Sequence, residues 1–457
     1  MSLQRKIFSG VAVYTIDTVI GNLACIASVA FVFRYLTLAE YGTLALVLSY
    51  YGLATAFLDF GLGAMFASEI AQARGAENRA IEKLFTWGYM ILVATMGSIL
   101  FAICLVLALT NLSINGTLWI AIGSYVLLTA TNNAALTIFL SHANFRQHVI
   151  QSIVRVLSRL VFLISLPFWW QGNHLTIIAW SHPIAEGIAF MVSMVMLWNL
   201  VRPLWTIPLP LQAHNILWES IKKQGIFVSV TVPIKKIQEQ LPIWILMWLA
   251  GKAATGAFAA ASGGYGLVFA FFRSVETTVF PLVSEYIERD QDYLKAALQR
   301  TQKYSLWLAI LAVFGGWIAA GPMIHILAGD QYADAISLFR VLIPLLLVYV
   351  FGQVQRPILY ALKAQRLLFY SHLIGVAIYV IVLTGGTLIF GVIGATFGVV
   401  VVEAIIVYLR YSMVRRLDPH LQSSMCDLLT VTPDDWRLWT IGVRRLRSLV
   451  WRKEEIT

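Results

Sequence analysis

Charge is scarce in this chain. Aspartate, glutamate, lysine and arginine make up 12% of its 457 residues, about half of the roughly 25% found in an ordinary soluble domain. Hydrophobic residues reach 59% and the mean hydropathy is +0.77. A water-soluble globule is thereby excluded, because it would have no polar surface to present. Cysteine is nearly as rare: Cys25 and Cys104 lie in apolar stretches and Cys426 in the polar C-terminal segment, so neither a disulfide framework nor metal-ligand spacing is present. The eight histidines are scattered. No glycine-rich nucleotide loop or Asp-rich metal motif falls between the apolar runs, which are separated by intervals too short for a catalytic domain. The expectation is a protein that is not an enzyme and uses no cofactor or metal. The net charge of +10 does not point to nucleic acid, since the basic residues flank the apolar runs and form no single basic domain.

What the chain has in quantity is long apolar runs. About twenty residues cross the ~30 Å hydrocarbon layer, and twelve runs fit, at approximately 11–33, 42–64, 85–110, 118–140, 151–170, 176–200, 226–250, 254–277, 304–327, 335–361, 369–389 and 391–413. The first is too long for a signal-peptide core and no small-residue cleavage site follows it, so it reads as a retained span. The intervals alternate in charge. One set holds Arg5, Lys6, Arg74, Arg79, Lys83, Arg146, Arg202, Lys222, Lys223, Arg289, Lys295, Arg300, Lys303, Lys363 and Arg366; the other holds only Arg34 and Lys252. By the positive-inside rule both termini are cytoplasmic, and an odd number of spans would put basic loops on both sides.

The chain also repeats itself. Gly42, Ala45, Tyr51, Gly52, Leu53, Ala56, Phe57 and Phe66 recur 214 positions on as Gly256, Ala259, Tyr265, Gly266, Leu267, Ala270, Phe271 and Phe280, with Asp59 falling on Arg273. A repeat near half the length of an apolar chain predicts two membrane lobes around a shared path, as in carriers. The expected architecture is an all-α polytopic membrane protein with twelve transmembrane helices in two pseudo-symmetric six-helix lobes. Residues 1–200 form the first lobe, the proline-bearing stretch 201–225 a cytoplasmic linker, 226–416 the second lobe and 417–457 a cytoplasmic tail. In that tail Trp436, Trp439, Val443, Leu446 and Val450 form a stripe beside Arg444, Arg445 and Arg447, the pattern of a basic amphipathic helix that lies on an anionic leaflet or packs on cytoplasmic loops.

Four segments carry a family resemblance: Arg34-Tyr-Leu-Thr-Leu-Ala-Glu-Tyr-Gly, Leu58-Asp-Phe-Gly-Leu-Gly, Ala253-Ala-Thr-Gly-Ala-Phe-Ala-Ala-Ala and Phe280-Pro-Leu-Val-Ser-Glu. They resemble the Wzx-type polysaccharide and O-antigen flippases of the multidrug/oligosaccharidyl-lipid/polysaccharide (MOP) superfamily, over about residues 10–415. The resemblance implies a MATE-like fold and alternating access, often coupled to a proton or sodium gradient. It implies as cargo an undecaprenyl-pyrophosphate-linked oligosaccharide, moved from the cytoplasmic to the periplasmic leaflet of a bacterial inner membrane. Membrane lipids and a polysaccharide polymerase are its implied partners. A multidrug antiporter of the same superfamily is the rival reading.

A pyrophosphate and its sugars cannot cross hydrocarbon bare, so charged residues within the spans are the candidate site. Arg155 and Arg159 share a helix face at one-turn spacing, Arg155 near the cytoplasmic end and Arg159 ~12 Å inside. Lys235 and Glu239 can pair along span seven, leaving Lys236 for cargo. Arg273 is a cation for the pyrophosphate or the partner of Asp59 across the lobes; each of these cations also has a bland reading as a rim charge. Arg356 is an inner-gate candidate, and Arg34 completes the cationic set. For ion coupling the carboxylates are Asp17, Asp59, Glu186, Glu239 and Glu403, with Asp17 placed first and the foremost candidates otherwise being Asp59, Glu239 and Glu403.

Overall fold

The computed structural model describes residues 20–110, 114–142, 144–210, 212–222, 226–287, 289–362, 364–421 and 428–430. Asp17 and the amphipathic tail helix expected beyond residue 430 lie outside the described residues. The chain runs through α1 (Ile20–Tyr35), α2 (Leu38–Leu58), α3 (Gly63–Gly75), α4 (Arg79–Thr110), α5 (Gly116–Ser141), α6 (Phe145–Trp169), α7 (His174–Val201) and α8 (Ala213–Ser220). It continues through α9 (Ile226–Leu249), α10 (Gly251–Tyr286), α11 (Gln291–Ala328), α12 (Asp334–Leu342), α13 (Leu345–Gly352), α14 (Gln355–Ala361) and α15 (Gln365–Leu417). There is no strand among the described residues.

Among the described residues eight stretches are long and apolar enough to cross a membrane, and their outward faces carry bare side chains such as Leu109, Phe168 and Phe314, the first 86% exposed. Only lipid accommodates such a surface, so the molecule is a multi-pass membrane protein. The charged triplet Lys235, Lys236 and Glu239 in the middle of α9 keeps that helix outside the apolar set.

Local chemistry sets the helix ends. Thr37 and Glu40 form a reciprocal capping box that starts α2 four residues before the expected span. At its other end Asp59 accepts hydrogen bonds from the backbone N–H groups of Gly61 (2.9 Å) and Gly63 (3.1 Å), while Phe60 and Gly61 take positive φ of 50° and 74°. This turn separates α2 from α3. Its repeat counterpart α10 has no glycine at that place and runs unbroken through Arg273 to Tyr286. α15 folds back at Gly391 (φ 61°, ψ −145°), where the last two expected spans meet. Its two limbs are antiparallel: the backbones of Gly386 and Gly394 lie too close for any β-carbon, the Tyr379 hydroxyl donates to Glu403 (2.8 Å), and Arg410 Nε donates to the Ser371 hydroxyl (3.2 Å).

The two halves meet along α2, α9 and α10. A β-carbon on Gly42 would collide with the Lys252 carbonyl, and one on Gly256 would collide with the Leu38 carbonyl. Since 38 and 42 correspond to 252 and 256 in the sequence repeat, this contact is reciprocal in the manner of a two-fold axis. Around it the Tyr332 hydroxyl donates to the Leu36 carbonyl (2.8 Å), Gln331 Nε2 to the Phe33 carbonyl (2.8 Å), and Trp244 Nε1 to the Ser49 hydroxyl (2.8 Å). The seal thus runs from Phe33 to Ser49 across the end of α1 and the first half of α2.

Candidate functional site

Each half holds a polar cluster within its helices. In the N-terminal half α6 presents Gln151, Arg155 and Arg159 at one-turn intervals, hence on one face. Asn132 of α5 sits at the centre of the first cluster. Its Nδ2 donates to the Glu186 carboxylate (2.6 Å) and to the Glu186 carbonyl (3.0 Å); its Oδ1 accepts from Gln151 Nε2 (3.0 Å) and the Ser193 hydroxyl (3.3 Å). The other Glu186 oxygen faces Arg155 Nη1 at 3.6 Å. One turn deeper, Arg159 lies within electrostatic reach of Tyr41, Tyr51 and Tyr125. Tyr51 and Tyr125 stack at 4.2 Å, and both rings abut His182 edge-on. The Arg159 Nε is buried, and among the described residues nothing accepts its hydrogen bond.

In the C-terminal half Gln238 of α9 joins the two limbs of α15: its Oε1 contacts His372 Nδ1 (2.8 Å) and its Nε2 donates to Glu403 (3.3 Å). Arg410, buried, reaches His372 at 3.3 Å. Also on α9, Glu239 binds Lys236 Nζ at 2.7 Å and faces Lys235 Nζ at 3.7 Å, all three side chains about two-fifths exposed. Arg273 acts on Glu239 electrostatically, as Arg356 and Lys235 act on His372.

The geometry therefore gathers Arg155 and Arg159 in one half, and Lys235, Lys236, Glu239, Arg273, Arg356 and Glu403 in the other. It revises two pairings. Lys236 is the tighter partner of Glu239, because i+3 and i+4 positions share a face and the shorter spacing wins here. Asp59 is engaged by its own turn and by the Tyr89 hydroxyl (3.1 Å), so it makes no ion pair with Arg273, which is exposed. Arg34 is exposed at the sealed end, away from both clusters. At that end a cleft of about 750 Å³ is lined by Glu40, Thr43, Asn115, Asn173 and Lys252, among others.

Sequence reasoning placed Glu186 among several carboxylates but missed its partner Asn132, and it missed His372 and Arg410. Two polar side chains buried on corresponding faces of spans four and six were the available signal for the first. Arg410 falls inside the last expected span, and the hairpin of α15 brings it against Ser371 and His372. Gln353, fully buried at the break between α13 and α14, has neither amide atom hydrogen-bonded among the described residues.

Residues 7–287, more than half of the chain, match the family profile described as polysaccharide biosynthesis protein. The chain belongs to this family, that of the Wzx-type flippases. Among solved structures the family member resembles multidrug resistance MATE transporters of the MOP superfamily. An inward-facing one aligns with a TM-score of 0.69 at 14% identity, covering 90% of this chain and 98% of the other. A MATE in the straight conformation gives 0.65 at 14% identity, covering 91% and 96%. An outward-facing MATE family transporter gives 0.56 at 16% identity, covering 89% and 96%. These likenesses show the fold. No curated protein sequence matches the chain. Family and fold point to a transporter or flippase of polysaccharide biosynthesis in place of a catalytic enzyme.

Proposed function

We propose that this protein translocates an undecaprenyl-pyrophosphate-linked oligosaccharide from the cytoplasmic to the periplasmic leaflet of a bacterial inner membrane. Twelve spans form two lobes, residues 1–200 and 226–416, joined by the linker 201–225, with both termini cytoplasmic. The observation that carries the reading is the distribution of cations: Arg155 and Arg159 from one half, with Arg159 reaching towards Tyr41 beside the seal, and Lys235, Lys236, Arg273 and Arg356 from the other. Charge alternation puts that seal on the periplasmic side, so the chamber faces the cytoplasm, where the cargo is made. There the guanidinium pair offers planar donors to phosphate, and the lysines meet its remaining charge. Rocking of the halves about α2 and α10 then exposes the cargo to the other leaflet.

A drug-cation antiporter is the second reading, favoured by the aromatic cluster of Tyr41, Tyr51, Tyr125 and His182 and by Glu403. Proteoliposomes decide between them. Lipid-linked oligosaccharide placed in one leaflet, with an impermeant glycan-cleaving probe outside, should become accessible at a rate that falls at least tenfold in Arg159→Gln. No protein-dependent transfer under any imposed proton or sodium gradient, together with uptake of organic cations, would select the antiporter.

A further inference from the structure

We infer that Glu186 is a proton-binding site governed by anion occupancy at Arg155, so that one proton enters the protein as a phosphate-class anion binds. The inference rests on the proposed cationic chamber and deepens it.

Glu186 is 4% exposed, whereas Arg155 is 34% exposed. The carboxylate therefore lies behind the arginine, and the arginine stands between it and the open space. At 3.6 Å the pair is at the outer edge of hydrogen-bonding distance, a single long contact held mainly by charge and not a bidentate fork. Every other contact of the carboxylate is neutral or remote. Asn132 of α5 donates at 2.6 Å; Tyr125 of α5 lies within electrostatic reach; His182 is one turn away on α7. Arg159, one turn along α6, lies within electrostatic reach of Tyr41, Tyr51 and Tyr125. Arg155 is the cation in contact with Glu186 among the described residues.

An anion that binds Arg155 and Arg159 together competes directly with Glu186 for Arg155. When the guanidinium swings toward the anion, a buried carboxylate is left without its counter-charge, a state so costly that protonation is the cheaper outcome. Asn132 fits both forms: its Nδ2 donates to an ionised or a protonated carboxyl oxygen, and its hold on the Glu186 carbonyl (3.0 Å) keeps the backbone in place while the charge changes. On release the guanidinium returns and the proton leaves. The proton thus travels with the anion and cancels one of its negative charges during passage through the hydrocarbon. By reciprocity, acidification must strengthen anion binding.

The test uses the full chain in lipid nanodiscs and a prenyl sulfate, whose own charge is constant between pH 5.5 and 8. Binding is measured by calorimetry in buffers of differing ionisation enthalpy. The expected result is uptake of close to one proton per anion at pH 8 and an affinity that rises up to tenfold per pH unit on acidification. In Glu186→Gln, which keeps the Asn132 contact, proton uptake should vanish and the affinity at pH 8 should rise about tenfold. Should that variant fail to insert, the wild-type proton count decides alone. Binding that requires Arg155 and Arg159 yet takes up no proton would overturn this inference and leave the cationic chamber standing. Binding indifferent to Arg155→Gln and Arg159→Gln would overturn both.

Discussion

The two halves share the repeat of Gly42 and Gly256 but treat their buried polar groups differently. In the N-terminal half Asn132, fully buried, uses both ends of its amide on Glu186, Gln151 and Ser193. In the C-terminal half Gln353 is equally buried, and among the described residues neither end of its amide has a hydrogen-bond partner. The helices that carry them differ in the same sense. α5 is continuous across 26 residues, whereas the corresponding 334–361 stretch is interrupted after Leu342 and again after Gly352. A satisfied network rigidifies its helices, and an interrupted helix with idle polar groups is tolerated at membrane depth where it adjoins other protein or a wet cavity. The N-terminal half is built as a frame with one displaceable ion pair, and the C-terminal half as the element that bends.

The largest effect belongs to the surface on which one half moves against the other. Gly42→Val places a branched side chain where a single carbon already collides with the Lys252 carbonyl. The outer seal should not close, and transport should fall more than tenfold. Spin labels at exposed Thr37 and Lys252, read by pulsed EPR, should show a lengthened separation. Gly266→Ala on α10 is the control, because nothing lies within 4 Å of its added carbon. Equal loss in both variants would mean that the seal is not the pivot.

The contrast between the two amides is tested next. Asn132→Ala removes a node of four hydrogen bonds and leaves Gln151 and Ser193 with one fewer partner, a cost of about 2–4 kcal/mol. Gln353→Leu removes a buried amide that bonds to nothing and should be within about 1 kcal/mol of wild type, or stabilising. Denaturant unfolding in mixed micelles measures both. A loss for Gln353→Leu as large as for Asn132→Ala would mean that the C-terminal amide is also satisfied, by water or by a bound ion, and would erase the distinction between frame and bending element.

Much of the frame was legible before any coordinates. The apolar helices and the repeat of Gly42 and Gly256 depend on composition and register, which the chain carries openly. The repeat even marked the contact between the halves, since only glycine permits that approach. The break after Asp59 is not among the expected span ends, since the expected span 42–64 runs through it, although an Asx residue followed by Gly61 and Gly63 carried the signal. What the sequence hid was direction. Arg410, His372 and Glu403 are separated by up to 38 positions and meet only because Gly391 reverses α15. Lys235 and Lys236 are adjacent, so no spacing rule chooses between them for Glu239. Asp59 and Arg273 coincide in the repeat, but register equivalence puts residues at like places in two halves and does not bring them into contact.

That last distinction yields the smallest and sharpest experiment. If Asp59 and Arg273 were a functional ion pair, exchanging them as Asp59→Arg with Arg273→Asp would restore what each single change removes. The structure gives them separate work. Asp59 accepts from two backbone N–H groups and from Tyr89, so Asp59→Ala should cost about 1 kcal/mol through lost capping. Arg273 is exposed beside Glu239, so Arg273→Gln should leave stability within about 0.5 kcal/mol while lowering transport two- to fivefold. Arginine at 59 can accept no backbone hydrogen bond, and the exchanged protein should be no better than the product of its single changes. Rescue above that product in the unfolding and transport assays would join the two positions directly and would require the halves to approach at their inner ends during the cycle.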